Sequence, residues 1–570
     1  MIDLTPGADA ADVYVLGAGD QAGSYLSAGD VNGDGETDLL VFAAGATPMG
    51  RTYAGLLYVV WGPVPSDTVD LSQAAVPHSL IVPPINSFGL WSSVDCGDFN
   101  NDGFDDLVLG IPCEYPSFYC KGKALIVFGR ADFPSTVDLQ NPSVDVTTVL
   151  GSSSDVGWLG YALAHGNVNG DLYDDLVVSA PAHSPGGHVY IVHGRAAFPQ
   201  TLDLNLLQAG VTRLVESEFG WGAGQSLACD DVNGDGADEL LIGEPGNAGQ
   251  TAHGKAILFY GYTSLPTTIT LDASTPGTKH IGSDPLQPGA MGTGSALADF
   301  DGDGEIDILL SASGIGLSGC SECGVVYVLY GADALPSSFS VTSAIVPTTC
   351  IIGNFMWRMG RAMFFGDFND DGRADVAASA VQSGSGEKLK VIVVYGLSSR
   401  PGAIMATNPD FATIVNGESD DDNFGFAMST SDINGDSVSD LSIGAKWATV
   451  GTNLGAGKVY TLYGVESATA IAATPAPGVV LRAFPNPSAG SVTIEYSLAR
   501  ASDVVISVYD VRGRRLIARS IPDVPAGVHM TTWEGSDFPS AISTPFPSGV
   551  YFLRIDALGE SMARKIILVR

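Results

Sequence analysis

The nonapeptide "DVNGDGETD" at residues 30–38 returns as "DFNNDGFDD" at 98–106, "DVNGDGADE" at 231–239, "DFDGDGEID" at 299–307 and "DFNDDGRAD" at 367–375. Two degenerate copies, "NVNGDLYDD" at 167–175 and "DINGDSVSD" at 432–440, complete a set whose starts are 68, 69, 64, 68, 68 and 65 residues apart. A period this regular marks a repeat architecture and takes precedence over any local pattern.

Every copy sits in the same frame. Seven residues before it stands a glycine (Gly23, Gly160, Gly224, Gly292, Gly360, Gly425), except that the second copy has Trp91 there. After it come a short apolar run such as "LVVSAP" and then a second, such as "HVYIVHG" or "KVIVVYG", ending in Gly. Before the glycine lies one more run, such as "VTTVLG". The runs are β-branched and aromatic, bounded by Gly or Pro, and lack helical periodicity, so they read as four short strands per unit. Seven such units predict an all-β fold: a seven-bladed β-propeller over residues 1–465. "DVYVLG" at residues 12–17 has the character of a last strand, and the seventh unit ends at "KVYTLYG" without one. The N-terminal strand is therefore expected to complete the last blade and remove two open edges.

The nonapeptide has the donor set of a hard cation. Calcium takes six to eight oxygens. Side chains at positions 1, 3, 5 and 9 and the carbonyl at 7 supply them, and glycine at 6 turns the chain sharply. The candidate ligands are Asp30, Asn32, Asp34, Glu36 and Asp38; Asp98, Asn100, Asp102, Phe104 and Asp106; and Asp231, Asn233, Asp235, Ala237 and Glu239. The later copies add Asp299, Asp301, Asp303, Glu305 and Asp307; Asp367, Asn369, Asp371, Arg373 and Asp375; and Asp432, Asn434, Asp436 and Asp440, the last with Ser437 at the turn. The copy at Asn167 is weakest, with Leu172 at the turn. Five or more calcium ions are expected, in a mainly structural role, each stapling the hairpin between the first two strands of a blade. Magnesium, which demands tight octahedral geometry, fits less well.

The units resemble FG-GAP repeats, the kind found in the integrin α-subunit head. Phe424 and Gly425 keep the "FG", and "SAP" at 179–181 or "GIP" at 110–112 stands for the "GAP". The resemblance spans roughly residues 10–465. It implies a propeller that binds a protein ligand on the face opposite the calcium hairpins, without naming the ligand.

An Ala/Pro-rich linker, "ESATAIAATPAPG", opens the stretch 466–482. Residues 483–570 then alternate as "SVTIEYSL", "DVVISVYDVRGRRL", "GVHMTTWEG", "SGVYFLRI" and "RKIILVR", which predicts a small immunoglobulin-like β-sandwich. "PNP", "VYDVRGRR", "AGVHMTTWEG", "SGVYFLRI" and "KIILVR" resemble a type IX secretion C-terminal sorting domain of the type A kind, and also the Ig-like module of flagellar hook-capping proteins. The sorting resemblance implies the type IX machinery as a partner, and a destination outside a Gram-negative cell or on its outer surface. "MIDLTPGADA" has no basic start and no apolar core. Since exported proteins of this kind carry a signal peptide, the expectation is that the N-terminus is truncated.

Composition agrees with an extracellular binder. The chain holds 63 acidic and 26 basic residues, for a net charge of −37. The excess is confined to residues 1–479, with 55 acidic against 16 basic; residues 480–570 hold 8 against 10. That field argues against nucleic acid or anionic lipid. No apolar run is long enough for a transmembrane helix. Among seven cysteines, Cys113 with Cys120 and Cys320 with Cys323 stand close enough for local disulfides in an oxidising compartment; buried free thiols are the alternative. No G-x-S-x-G or H-E-x-x-H occurs, and the eight histidines are scattered, although His183 and His188 are near enough to hold a transition metal. The expectation is a monomeric, adhesive, non-enzymatic protein that engages an extracellular protein or glycan. A propeller-borne polysaccharide lyase or hydrolase is the alternative. Trp91, Trp158, Trp221 and Trp357 each precede a first strand, on the face opposite the loops, and are the candidate ligand contacts. The competing reading is that they pack between blades.

Overall fold

In the computed structural model the chain divides into two compact units, Met1–Val465 and Glu466–Arg570. The structure describes residues 2–464, less 4–12, 17–19, 53, 65–67, 72–76, 85–92, 115–119, 152–156, 185, 207–209, 217–221, 247–253, 284–289, 317–319, 332–334, 344, 381–388, 410 and 420, together with strand residues of 479–568.

The first unit forms seven sheets of five strands. The predicted four strands per unit are all there. In the first sheet Ala22–Gly29, Asp38–Ala43, Leu56–Val60 and His78–Val82 pair antiparallel in sequence order. Second strands are buried along their whole length. This explains why they read as unbroken apolar runs ending in small residues rather than as an alternation.

Each sheet also has a fifth strand that the sequence reading missed. Thr136–Asp138, from the second unit, adds in parallel to His78–Val82 of the first. Thr201–Asp203 and Thr268–Leu271 do the same one unit further on. Each unit thus lends a short strand backwards and covers its neighbour's outer edge. The signal was present as "TVDL" and "TLDL", but three residues are too few for a periodicity to register.

First strands lie against one another in cyclic order. Ala22–Gly29 neighbours Ser93–Gly97, and the series continues through Leu163–Gly166, Ser226–Asp230, Met291–Ala298, Met363–Gly366 and Phe424–Ser431, which returns to Ala22–Gly29. The glycine before each loop serves this packing. Gly160 has φ +89°, and a Cβ there would stand 2.6 Å from the Lys123 carbonyl and 2.8 Å from the Ile111 nitrogen of the preceding sheet. Only glycine meets both demands. Trp91, the exception, lies outside the described residues.

The seventh sheet is completed from the other end of the chain. Val13–Leu16 pairs antiparallel with Lys458–Leu462, and Thr68–Asp70 adds outside it. Ile2–Asp3 likewise supplies the fifth strand of the sixth sheet.

The second unit has a three-stranded sheet (Val479–Phe484, Ser491–Leu498, Gly527–Glu534) and a four-stranded one (Arg515–Val524, Ser502–Asp510, Gly549–Ala557, Glu560–Leu568). Buried Val504, Ile506 and Val508 alternate along one strand and Leu553 and Ile555 along its partner, giving one apolar face with a period of two. The run expected as a single strand around "VYDVRGRR" is two strands, and the first strand of the unit begins at Val479, inside the expected linker.

Deleting residues 1–20 strips the strand on which both Lys458–Leu462 and Thr68–Asp70 pair. The truncated protein is expected to melt lower and to aggregate through the exposed edge. A truncated chain that stays monomeric by size-exclusion chromatography, with an unchanged Tm, would show that this strand does not close the first unit.

Candidate metal-binding loops

Six of the seven loops share one geometry. The carboxylate at position 1 accepts the amide at position 6: Asp30 from Gly35, Asp98 from Gly103, Asp231 from Gly236, Asp299 from Gly304, Asp367 from Gly372 and Asp432 from Ser437, at 2.6–2.9 Å. Its other oxygen accepts the amide at position 5, and the position-5 carboxylate accepts the amide at 7, as Asp34 does from Glu36 at 3.0 Å. The turn residue takes a left-handed conformation, φ +87° at Gly35. Ser437 is forced to φ +69° in the same place, so the seventh loop keeps the geometry at the cost of backbone strain. The third loop does not. Leu172 is 81% exposed and not left-handed, and Asn167 donates its amide to the Asp171 carbonyl instead of accepting at the turn.

The position-9 carboxylates face inward and are fully buried, from Asp38 to Asp440. Asp38 accepts the Val31 amide at 3.0 Å and the Gly62 amide at 2.9 Å. It thereby ties its loop to the end of the third strand. Asp106, Asp175, Asp307, Asp375 and Asp440 bind Gly129, Gly194, Gly331, Gly396 and Gly464 in the same way. Glu239, one methylene longer, turns back to Asn233. The third-strand glycine is dictated by close approach: a Cβ on Gly129 would lie 2.5 Å from the Asp105 carbonyl.

Each loop also grips the next sheet. The position-2 residue plugs the neighbouring core: Val31 packs with Leu107 and Leu125, Phe300 with Val376 and Ile392, and Ile433 with Leu39 and Val41 of the first sheet. Backbone bonds run alongside, from Asp105 to Asp30, Arg130 to Val31, Leu397 to Phe300 and Val64 to Ile433. Asp105, Asp174 and Asp238, at position 8, accept the position-1 amide of the preceding loop.

Several buried oxygens in these loops lack a hydrogen-bond partner: Oδ1 of Asn100, Asn369 and Asp301 at position 3, and of Asn167 at position 1. In the fifth loop Asp299, Asp301 and Asp307 each place an oxygen within 4.8 Å of the others. Asp301 and Asp303 also meet the guanidinium of Arg400, which reaches over from the next unit. In the sixth loop Arg373 pairs with Asp371. Burial and neighbouring loop acids push the position-9 carboxyls up, to about 7 at Asp38, Asp175, Asp307 and Asp440 and about 8 at Asp106, Glu239 and Asp375, with backbone donors opposing the shift.

The other candidates separate. Trp357 is 5% exposed and packed with Met359 and Ile392, so its ring belongs to the core and is not displayed to a ligand. Trp158 is half-buried and stacks on Tyr161. Trp91 and Trp221 lie outside the described residues. His183 and His188 stack face to face with centroids 3.7 Å apart, which does not converge their nitrogens on a common point. Cys113–Cys120 and Cys320–Cys323 are disulfides.

The FG-GAP repeat family matches residues 22–60, 159–192 and 424–462, and the family described as "Secretion system C-terminal sorting domain" matches residues 482–569. The chain carries FG-GAP repeats and a type IX sorting domain. That tail directs export by type IX secretion to the cell surface or beyond, and among the described residues no helix is long and apolar enough to cross a membrane. The chain is also similar to curated proteins of different character. Human phosphatidylinositol-glycan-specific phospholipase D is 31% identical over 40% of this chain and 27% of its own, and the mouse protein is 31% identical over 35% and 23%. Integrin alpha-PS2 of Drosophila melanogaster is 27% identical over 50% of this chain and 19% of its own. The chain thus spans about a quarter of the length of the relatives it matches. Crystalline dimeric latent PorU from Porphyromonas gingivalis aligns over 61% of this chain and 32% of its own at 12% identity, with a TM-score of 0.15, too low to bear on the fold.

The raised position-9 carboxyls make a pH prediction for metal-free protein. Their folded values lie above the unfolded value of about 3.9. The stability they contribute is complete below that value and is lost as pH rises through 7 to 8. In chelator, Tm is expected to fall between pH 5 and pH 8.5; a Tm that rises over that range would contradict the burial of these groups in neutral form.

Proposed function

We propose that residues 1–465 form a seven-bladed, calcium-binding β-propeller with an adhesive role, carried to the outside of the cell by an immunoglobulin-like sorting domain at 483–570. Calcium at the loops is supported most directly by the unpartnered position-3 oxygens of Asn100, Asp301 and Asn369 and, in the fifth loop, by the carboxylates of Asp299, Asp301 and Asp307, which stand close together. A carboxylate offers roughly four lone-pair sites, so position-1 acids that accept two amides retain capacity for a cation. Calcium tolerates the irregular oxygen shell such a loop provides. Bound there, it supplies charge that offsets the repulsion among the loop acids, while the chain's own oxygens fix its place. The ligand-binding part of the reading is supported by the likeness to an integrin α-subunit and by aromatic side chains at the ends of the first strands, such as Trp158 and Phe426.

A second reading, an extracellular hydrolase, is favoured by the likeness to phosphatidylinositol-glycan-specific phospholipase D. The match covers about a quarter of that enzyme. Integrin alpha-PS2 matches as well, which suits a shared scaffold better than a shared reaction.

Plasma mass spectrometry of the purified chain is expected to find at least five calcium ions, one for each loop that keeps the full motif. Chelation should lower Tm, since each site filled at 100-fold over its Kd contributes about 2.7 kcal/mol. A chain with no bound metal and a Tm indifferent to chelator would end the calcium reading. In the fifth loop Arg400 competes with a cation for Asp301 and Asp303. Arg400→Ala should therefore tighten the calcium isotherm of that loop, and weaker binding would show that Arg400 supports the site instead.

A further inference from the structure

The acidic loops lie at the C-terminal ends of the first strands. At the opposite ends, one or two residues past the loop-preceding glycines, stand Tyr25, Tyr161, Arg361 and Phe426. They come from the first, third, sixth and seventh sheets, yet they interact. Tyr25 lies edge-on to Phe426 with centroids 6.0 Å apart, and its phenol, raised first by burial, also feels Tyr161 and Arg361. Side chains from sheets well apart in the cyclic order thus come within electrostatic reach of one another near the starts of the first strands.

Two cations share this place. Lys446 Nζ is 3.5 Å from the Phe426 ring centre and 5.5 Å from that of Trp447, and the Arg361 guanidinium carbon is 5.5 Å from the Phe426 ring. Among the described residues neither has a carboxylate within ion-pair distance, although Arg51, Lys123, Lys255, Arg358, Arg400 and Lys458 all do. Burial and then Arg361 hold the Lys446 ammonium down to about 8, so the two cations repel each other. Among the described residues these two converging bases face aromatic rings rather than carboxylates.

We propose that Arg361, Lys446 and Trp447 form a binding site for the carboxylate of a uronic-acid sugar, at the end of the first strands opposite the acidic loops. This rests on the ligand-binding reading above. The guanidinium and ammonium take the carboxylate through charge-assisted hydrogen bonds. Trp447, 52% exposed, gives the sugar ring a flat apolar face. Tyr25 and Tyr161, whose phenols burial keeps protonated, offer hydroxyls to its oxygens. The net charge of −37 disfavours a polyanion, whereas a single carboxylate on a neutral ring meets only the charges within a Debye length of about 8 Å. Toward the loop end the first strands turn acidic: burial disfavours the His165 imidazolium, but Asp95, Asp174 and Asp105 outweigh it and hold it up to about 9. An anion is therefore disfavoured at the loop end.

Isothermal titration of the full chain with methyl glucuronoside tests this, against methyl glucoside and N-acetylaspartate amide. The glucuronoside is expected to bind at one site, about tenfold or more tighter than either comparator. Arg361→Ala and Lys446→Ala should each weaken it about tenfold, with Tm and calcium content unchanged, and Trp447→Ala should weaken it without abolishing the preference for the acid. Equal binding of the glucoside, tighter binding of the aspartate amide, no binding of the glucuronoside, or variants that bind like the parent would each overturn the proposal. A glycan and protein array separates the two levels. Hits retained by the Arg361→Ala/Lys446→Ala double variant would leave the adhesive reading standing without the uronate site, and an array with no hits for the parent chain would remove the adhesive reading itself.

Discussion

Each acidic loop is a joint between two sheets before it is anything else. Its position-9 carboxylate is wholly buried and, in every loop but the fourth, where Glu239 turns back to Asn233, ties the loop to the third strand of its own sheet, as Asp38 does through Gly62. Its position-2 side chain plugs the core of the next sheet, as Val31 and Phe300 do. Ile433 extends the series from the seventh sheet into the first, beside the backbone bond from Val64. A buried carboxyl held up near 7 or 8 is a costly device at neutral pH unless a cation shares its charge. On the calcium reading proposed above, the same nine residues serve sheet packing and cation chemistry, which would account for their return at each step of the repeat.

Much of this was legible because the repeat is written in residues with narrow physical roles. The 64–69-residue step fixed the number of sheets, and "DVYVLG" in the wrong place for a first strand announced the pairing of Val13–Leu16 with Lys458–Leu462. What escaped depends on neighbours in space. The parallel outer strands are two to four residues long and are stabilised by the preceding unit rather than by their own pattern. Position 4, left-handed at Gly33 and also at Asn101 and Asp370, was visible as a Gly/Asn/Asp column but was not read. Trp357 shares the sequence frame of a displayed aromatic, and only the packing of the sixth sheet shows that it is core. The arginines are the clearest case. Nothing in the sequence distinguishes Arg400, clamped on two loop acids, from Arg361, which meets an aromatic ring and no acid among the described residues.

The acidic excess stops where the sorting domain begins, so the two units differ in kind as well as in sequence family. The sorting tail specifies destination. On the proposed reading, calcium outside the cell is plentiful enough to fill even loops of modest affinity, and the disulfides Cys113–Cys120 and Cys320–Cys323 suit the same oxidising surroundings.

The central claim is that the loops couple neighbouring sheets through the cation they are built to hold. Hydrogen–deuterium exchange on calcium-loaded and chelated protein tests it most directly. The account predicts that chelation speeds exchange at the amides reaching back from the next sheet to full-motif loops, Asp105, Asp174, Ala374 and Leu397, together with the loop amides at positions 4 to 6. Faster exchange confined to positions 4 to 6, with those neighbouring amides unchanged, would contradict it.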